Sequence, residues 1–94
     1  MRKIERTGQF KRDFKRELKG QQGKSLPELL TAVITLLATD TLLPDRCFDH
    51  ALTGNWIDHR DCHIKPNLVL IYRKPDSDTL QLVRLGSHSE LGIG

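Results

Sequence analysis

WIDHRDCHIKPNLVLIYRKPDSDTLQLVRLG, residues 56–86, contains the most apolar segment of the 94-residue chain and the turns that delimit it. Leu68 to Tyr72 is an unbroken apolar run of five, the pattern of a strand buried on both faces and therefore central in its sheet. Lys65-Pro66-Asn67 before it and Lys74-Pro75-Asp76-Ser77-Asp78 after it are turn chemistry. Thr79 to Leu85 reads as a further strand closing at Gly86. Upstream, Trp56 to Ile64 reads as a strand with Trp56, Asp58, Arg60, Cys62 and Ile64 on one face. Ile57, His59, Asp61 and His63 lie on the other.

Further upstream the period changes. Phe10, Phe14 and Leu18 recur every four residues, a narrow helical stripe, and Lys11, Arg12, Lys15, Arg16 and Lys19 cover the other faces. Gly20 and Gly23 bracket a stop. Ser25-Leu26-Pro27-Glu28 has the form of a capping box with proline in the first turn. Leu26, Leu29, Leu30, Val33, Leu36 and Leu37 give the helix that follows a broad apolar face, and Pro44 marks the exit. Residues 2–6 read as a short first strand, and residues 45–55 as an irregular loop closing at Gly54. The order β-α-α-β-β-β predicts a single α+β domain over residues 1–94, two helices packed on a small, largely antiparallel sheet.

Composition narrows the function classes. Hydrophobic residues make up 37% and charged residues 29% of the chain, which suits a globular protein. There is no apolar run of about 18 residues, so no membrane span is expected. The N-terminus lacks the apolar core of a secretory signal. Cys47 and Cys62 cannot build a disulfide framework and lack metal-ligand spacing. A cytoplasmic location is the default. The net charge of +3 is unevenly spread: residues 1–24 carry nine Lys/Arg against three Asp/Glu. A basic N-terminal third suits a nucleic acid or an acidic protein as partner, or is simply a solvated helix face.

Three of the four histidines, His50, His59 and His63, lie just ahead of the apolar strand; the fourth is His88. His59-x-x-x-His63 is half of a zinc pattern, but on a strand residues four apart are roughly 13 Å from each other. No further ligands complete a set, so neither metal nor cofactor is expected. Acid/base chemistry fits better, because imidazole titrates near neutrality and moves a proton either way. RNA supplies its own nucleophile, the 2′-OH. A base, an acid and a cation for the phosphorane charge suffice to cleave it. His50, His63 and His88 lie where they could converge at one edge of the sheet. His59 has no such support.

The pattern Asp49-His50-x-Leu52-x-Gly54-x-Trp56-x3-Arg60-Asp61-x-His63-x2-Pro66-x-Leu68-x-Leu70-Ile71-Tyr72 resembles the YafQ branch of the RelE-type toxins, as does the ending Arg84-Leu-Gly86-Ser-His88. The segment Gly8 to Phe10 and the two-helix layout fit as well, so the resemblance spans essentially the whole chain. It implies a RelE-like α+β fold and a ribonuclease that enters the ribosomal A site of the 70S ribosome and cuts mRNA there. It also implies restraint by an antitoxin, usually DinJ-like with a ribbon-helix-helix part, through which alone operator DNA would be contacted. By position, His50, His63 and His88 match the branch's catalytic histidines. Asn67 stands where the branch carries a catalytic Asp; an amide can orient a histidine but cannot carry a proton at neutral pH. Arg84, Arg60 and Lys65 are implied as phosphate or RNA contacts. Lys11, Arg12, Lys15, Arg16 and Lys19 are implied as a surface for ribosome or antitoxin. Near the C-terminus an aromatic of the branch is replaced by Gly92 or Ile93, which would cost a stacking contact. Two rival readings accompany this one. The first is a ParE-like toxin that acts on DNA gyrase without an acid/base trio. The second is a weakened toxin that only binds ribosome and antitoxin.

Overall fold

The computed structural model describes residues 1–20 and 23–93. The elements are β1 (Lys3–Arg6), α1 (Gly8–Lys19), α2 (Leu26–Ala38), β2 (His50–Ala51), β3 (Arg60–Lys65), β4 (Leu68–Arg73), β5 (Thr79–Gly86) and α3 (His88–Leu91), with single 3-10 turns at Asp45–Cys47 and Gly54–Trp56. They build a five-stranded sheet in the order β1-β5-β4-β3-β2. All pairings are antiparallel except β1 with β5, which is parallel. The expected α+β class and two-helix layer are therefore present. The short β2 and the terminal turn α3 are additions. Among the described residues no helix is long and apolar enough to cross a membrane.

The apolar run is indeed the middle strand. Leu68, Val69, Leu70, Ile71 and Tyr72 are all essentially inaccessible. Leu68, Leu70 and Tyr72 point to the helices and join Phe10, Leu26, Leu30, Val33 and Leu37 in the main core. Val69 and Ile71 point the other way, into a small second cluster with Leu91, roofed by Leu52, Trp56, Val83 and Ile93. That second roof is why β4 alternates nowhere: both of its faces are covered, one by helices and the other by the 52–56 loop and the C-terminal turn.

Three local expectations are corrected. The strand expected from Trp56 begins only at Arg60, because Trp56 closes a 3-10 turn and Asp58 takes a positive φ of 70°. Ser25 makes no side-chain cap, so the box read there does not form; Pro27 alone marks the start of α2. The capping box that does form is Ser87 to Glu90. There the Ser87 hydroxyl accepts from Glu90 N at 3.1 Å, and the Glu90 carboxylate accepts from Ser87 N at 3.0 Å. It starts α3, which Gly92 ends in the left-handed conformation at φ 68°. On α2, Leu29 is the member of the predicted apolar face that stays exposed.

Helix α1 closes the sheet on one side. β1 pairs with β5 only as far as Leu82, which would leave the backbone of residues 83–85 as an open edge. Side chains of α1 and its cap take the place of a strand. Thr7 Oγ1 donates to Val83 O at 2.7 Å, Asp13 Oδ2 accepts from Leu85 N at 3.0 Å, and Arg16 donates to Leu85 O at 2.9 Å. Thr7 meanwhile caps its own helix by accepting from Phe10 N. The helix is thereby bolted to the strand that leads into His88.

Candidate active site

Strand register places the histidines. His63 pairs with Val69, and Val69 pairs with Gly86 across β4. One row further along, Asp61 pairs with Ile71, Ile71 pairs with Arg84, and on the outer side Asp61 pairs with His50. Directly paired residues share a face, so His50, Asp61, His63 and Arg84 all project from the face opposite the helices. Two residues past Gly86, His88 opens α3 over the same face. The His63 and His88 rings lie 5.0 Å apart between centroids. Neither ring is hydrogen-bonded to the described residues. His63 and His88 therefore meet, and His50, on the edge strand β2, shares their face through Asp61.

Asp61 sits behind them and is the residue that sequence reasoning left without a role. The residue is buried, at 1% exposure. His50 Nδ1 is 3.0 Å from Asp61 Oδ1, but it is also 2.8 Å from the Phe48 carbonyl oxygen, and its hydrogen is directed there. Oδ1 consequently lies against an imidazole yet receives no hydrogen bond among the described residues. Burial pushes the Asp61 carboxyl above its ordinary value, partly opposed by the positive potential of His50, His63 and His88. Because two acceptors flank Nδ1 of His50, that nitrogen carries the proton. In the neutral ring Nε2 is then the acceptor, and the ring is half-exposed. The alternation Asp61-x-His63 was the available signal: two chemistry-bearing side chains on one strand face directly ahead of the central strand.

The remaining predicted residues divide. Arg84 lies on the site face but its guanidinium is committed to Asp13, with Nε–Oδ2 at 2.7 Å and Nη2–Oδ1 at 3.3 Å. Arg60 lies on the other face of β3. It donates to Asp49 at 3.2 Å, and Asp49 accepts from Tyr72 Oη at 2.5 Å, so the three form a cluster over the helix side. Asn67 is exposed on the turn between β3 and β4 and makes no side-chain hydrogen bond among the described residues. Lys65 ends β3, two residues past His63. On α1, Lys11, Arg12, Lys15 and Lys19 are exposed. Arg16 is instead pinned by Asp13 at 2.9 Å, Glu17 at 2.9 Å and Glu90 at 3.4 Å. His59 stands apart, its ring edge-on to Trp56. Among the described residues no group of three or more His, Cys, Asp or Glu is arranged to hold a metal ion.

Comparison with known proteins places this arrangement in context. The family described as "Bacterial toxin of type II toxin-antitoxin system, YafQ" matches residues 2–92. The mRNA interferase toxin YafQ of Escherichia coli K12 is 38% identical over 91 residues, covering 96% of this chain and 95% of its own. Among solved structures, the E. coli DinJ-YafQ toxin-antitoxin complex superposes with a TM-score of 0.82 at 36% identity, covering 96% of both chains. A metal-bound toxin from Helicobacter pylori superposes with a TM-score of 0.86 at 46% identity, covering 97% of this chain and 99% of that one.

Proposed function

The chain belongs to the YafQ family of bacterial type II toxin–antitoxin toxins, and from that premise we propose that it is an mRNA endoribonuclease that arrests translation and is restrained by a DinJ-like antitoxin. The observation that carries this reading is the meeting of His63 and His88, 5.0 Å apart, with His50 tied to the same patch through Asp61. The relative named as an mRNA interferase and the relative solved with DinJ support the activity and the partner respectively. The chain acts in the cytoplasm, on messages held in the ribosomal A site.

The chemistry follows from the placement of the three rings. His50 presents an unprotonated Nε2 and takes the 2′-OH proton as the O2′–P bond forms. Either His63 or His88, protonated, delivers a proton to the departing O5′ as the P–O5′ bond breaks, and its neighbour holds a non-bridging oxygen. Asp61, 3.0 Å from His50 Nδ1, positions that ring without itself reaching the substrate. Arg84, already neutralised in part by Asp13, contributes direction more than net charge. Arg60 is left to its structural cluster. The exposed Lys11, Arg12, Lys15 and Lys19 supply salt-sensitive affinity for ribosomal RNA.

Mapping of new 5′ ends on a defined message, with purified toxin and programmed ribosomes, tests the proposal. Cuts that leave a 5′-OH downstream and a 2′,3′-cyclic phosphate or 3′-phosphate upstream are expected. Products bearing 5′-phosphate, or gyrase-trapped DNA with intact message, would overturn it.

A further inference from the structure

We propose that Phe48, with the apolar cleft beside it, is a subsite for a nucleobase of the message flanking the cut; this rests on the ribonuclease reading above. Phe48 is anomalous in three ways. It is a large aromatic left 64% exposed. Its backbone is left-handed, φ 47° and ψ 47°, a conformation that bulky side chains rarely adopt and that concentrates at functional sites. Its ring lies 5.3 Å from that of His63 between centroids, tilted by 57°.

These features are connected. The left-handed turn that ends the 3-10 segment Asp45–Cys47 sends the Phe48 carbonyl toward His50, where it accepts the Nδ1 hydrogen at 2.8 Å. The same turn sends the ring toward His63. One strained residue thus fixes the tautomer of one candidate catalytic histidine and stands against the ring of another. A hydrophobic ring in that position adds little to the core, since most of it faces solvent. Beyond it, reached past the Phe48 and His63 rings and lying on the helix side of β3, opens a cleft of about 470 Å³ bounded by Val33, Leu36, Ile64 and Pro66, with Arg46 and Lys65 also among its lining residues. Its size is that of a small-molecule site.

The occupant follows from distance. A phosphate that reacts at His63 must come within hydrogen-bonding reach of that ring. The bases on either side of the phosphate are then one sugar away, at the distance where the Phe48 ring stands. Aromatic rings hold single-stranded bases by stacking, and every base offers a π face. Arg46 along the cleft suits a flanking phosphate.

The test is single-turnover cleavage on programmed ribosomes across a toxin titration, comparing the parental protein with Phe48→Ala, Phe48→Leu and Phe48→Trp. Stacking losses of the usual size predict that Phe48→Ala raises the half-saturating concentration about 5- to 150-fold while the saturated rate stays within about threefold. Phe48→Leu should behave like Ala, because it has bulk but no π face, and Phe48→Trp should restore the parental value. A message with an abasic sugar next to the cut should weaken parental binding at one of the two flanking positions and leave Phe48→Ala no weaker than before. Unchanged melting temperature keeps the variants comparable, and Phe48→Trp reports on the site even if Ala disturbs the turn. A parental-like Leu variant would overturn stacking. So would a collapsed saturated rate at unchanged half-saturation, which would make Phe48 only a backbone brace for His50. Loss of antitoxin affinity with unaltered cleavage would make the ring a protein-docking contact instead. Absence of cleavage by the parental protein itself would overturn the ribonuclease reading, and the subsite with it.

Discussion

Two aspartates are buried in this protein, and their surroundings are opposites. Asp13, on α1, is fully buried and accepts from every side: Arg84 through two nitrogens, Arg16 at 2.9 Å, Leu85 N at 3.0 Å and Gln9 at 3.2 Å. Burial pushes its carboxyl up, but the bonds from Arg84, Leu85 and Gln9 outweigh that and hold it below its ordinary value. Asp61, on β3, is equally buried, yet one of its oxygens receives no hydrogen bond among the described residues, and its carboxyl is pushed up. The difference separates a carboxylate that organises the fold from one whose unmet demand is turned on three histidines. Satisfied buried charges hold elements together. An incompletely satisfied one is tolerated where the strain has a use.

The largest expected effect is on the satisfied member. Asp13→Ala strips the common acceptor from two arginines and a sheet edge. Removing one partner of a buried pair costs roughly 3–5 kcal/mol, and the part-exposure of both arginines puts this one toward the low end. Urea unfolding should show the midpoint falling sharply; a loss below about 1 kcal/mol, within the range of ordinary surface changes, would mean that the network is ornamental.

Next comes the chemistry that Asp61 faces. His50→Ala and His88→Ala should each reduce cleavage by about 10²–10⁴-fold. Melting temperature and antitoxin affinity should persist, because both rings are partly exposed and neither belongs to the core. Near-parental rates in both variants would remove the acid/base assignment.

Opposite pH slopes then sharpen the comparison. Asp13 has a lowered folded value, so its stabilisation is present above the ordinary value near 3.8 and is lost as pH falls through the lowered one. Asp61 has a raised folded value, so its contribution is intact below about the same ordinary value and declines as pH rises through the raised one. Relative to the parental protein, Asp13→Asn should be destabilised most above pH 5 or so, and Asp61→Asn should gain stability over that same rise. Asp61→Asn should nevertheless cleave about tenfold more slowly or worse, because His50 loses the carboxylate 3.0 Å from its Nδ1. Parallel stability curves for the two variants would erase the distinction between the sites.

The smallest effect concerns Asn67, outside both clusters. Asn67→Asp adds a negative charge on the turn that follows the His63 strand. If that charge reaches the imidazoles, single-turnover cleavage should rise a few-fold and the acid limb should move to higher pH, since an opposite charge within about 4–6 Å favours the protonated ring. Superimposable profiles across pH 5.5–8.5 would leave Asn67 as a turn residue only.

What the sequence determined by itself was local or periodic. The five apolar residues of β4, the Pro-Asn and Pro-Asp turns around it and the two helical stripes specify a sheet with two helices on it, because side-chain period and turn chemistry are written in neighbouring residues. Register over short turns also carries His63 and His88 toward one another. Tertiary structure decided what depends on residues far apart. Ser25-x-x-Glu28 and Ser87-x-x-Glu90 spell the same capping motif, and only the second forms one. Its Glu90 also meets Arg16, across more than seventy residues of chain. Likewise Arg84, Arg16 and Arg60 read as free cations in the chain. Each is instead committed in the fold to an acidic partner, Asp13 for the first two and Asp49 for the third. Sequence reports the charge of a side chain. Whether that charge is spent inside the protein or offered to a substrate depends on which desolvated partner the fold brings within a few ångströms, and the partners that sequence spacing could not supply, Arg84 and Leu85 for Asp13 and His50 for Asp61, come from other strands.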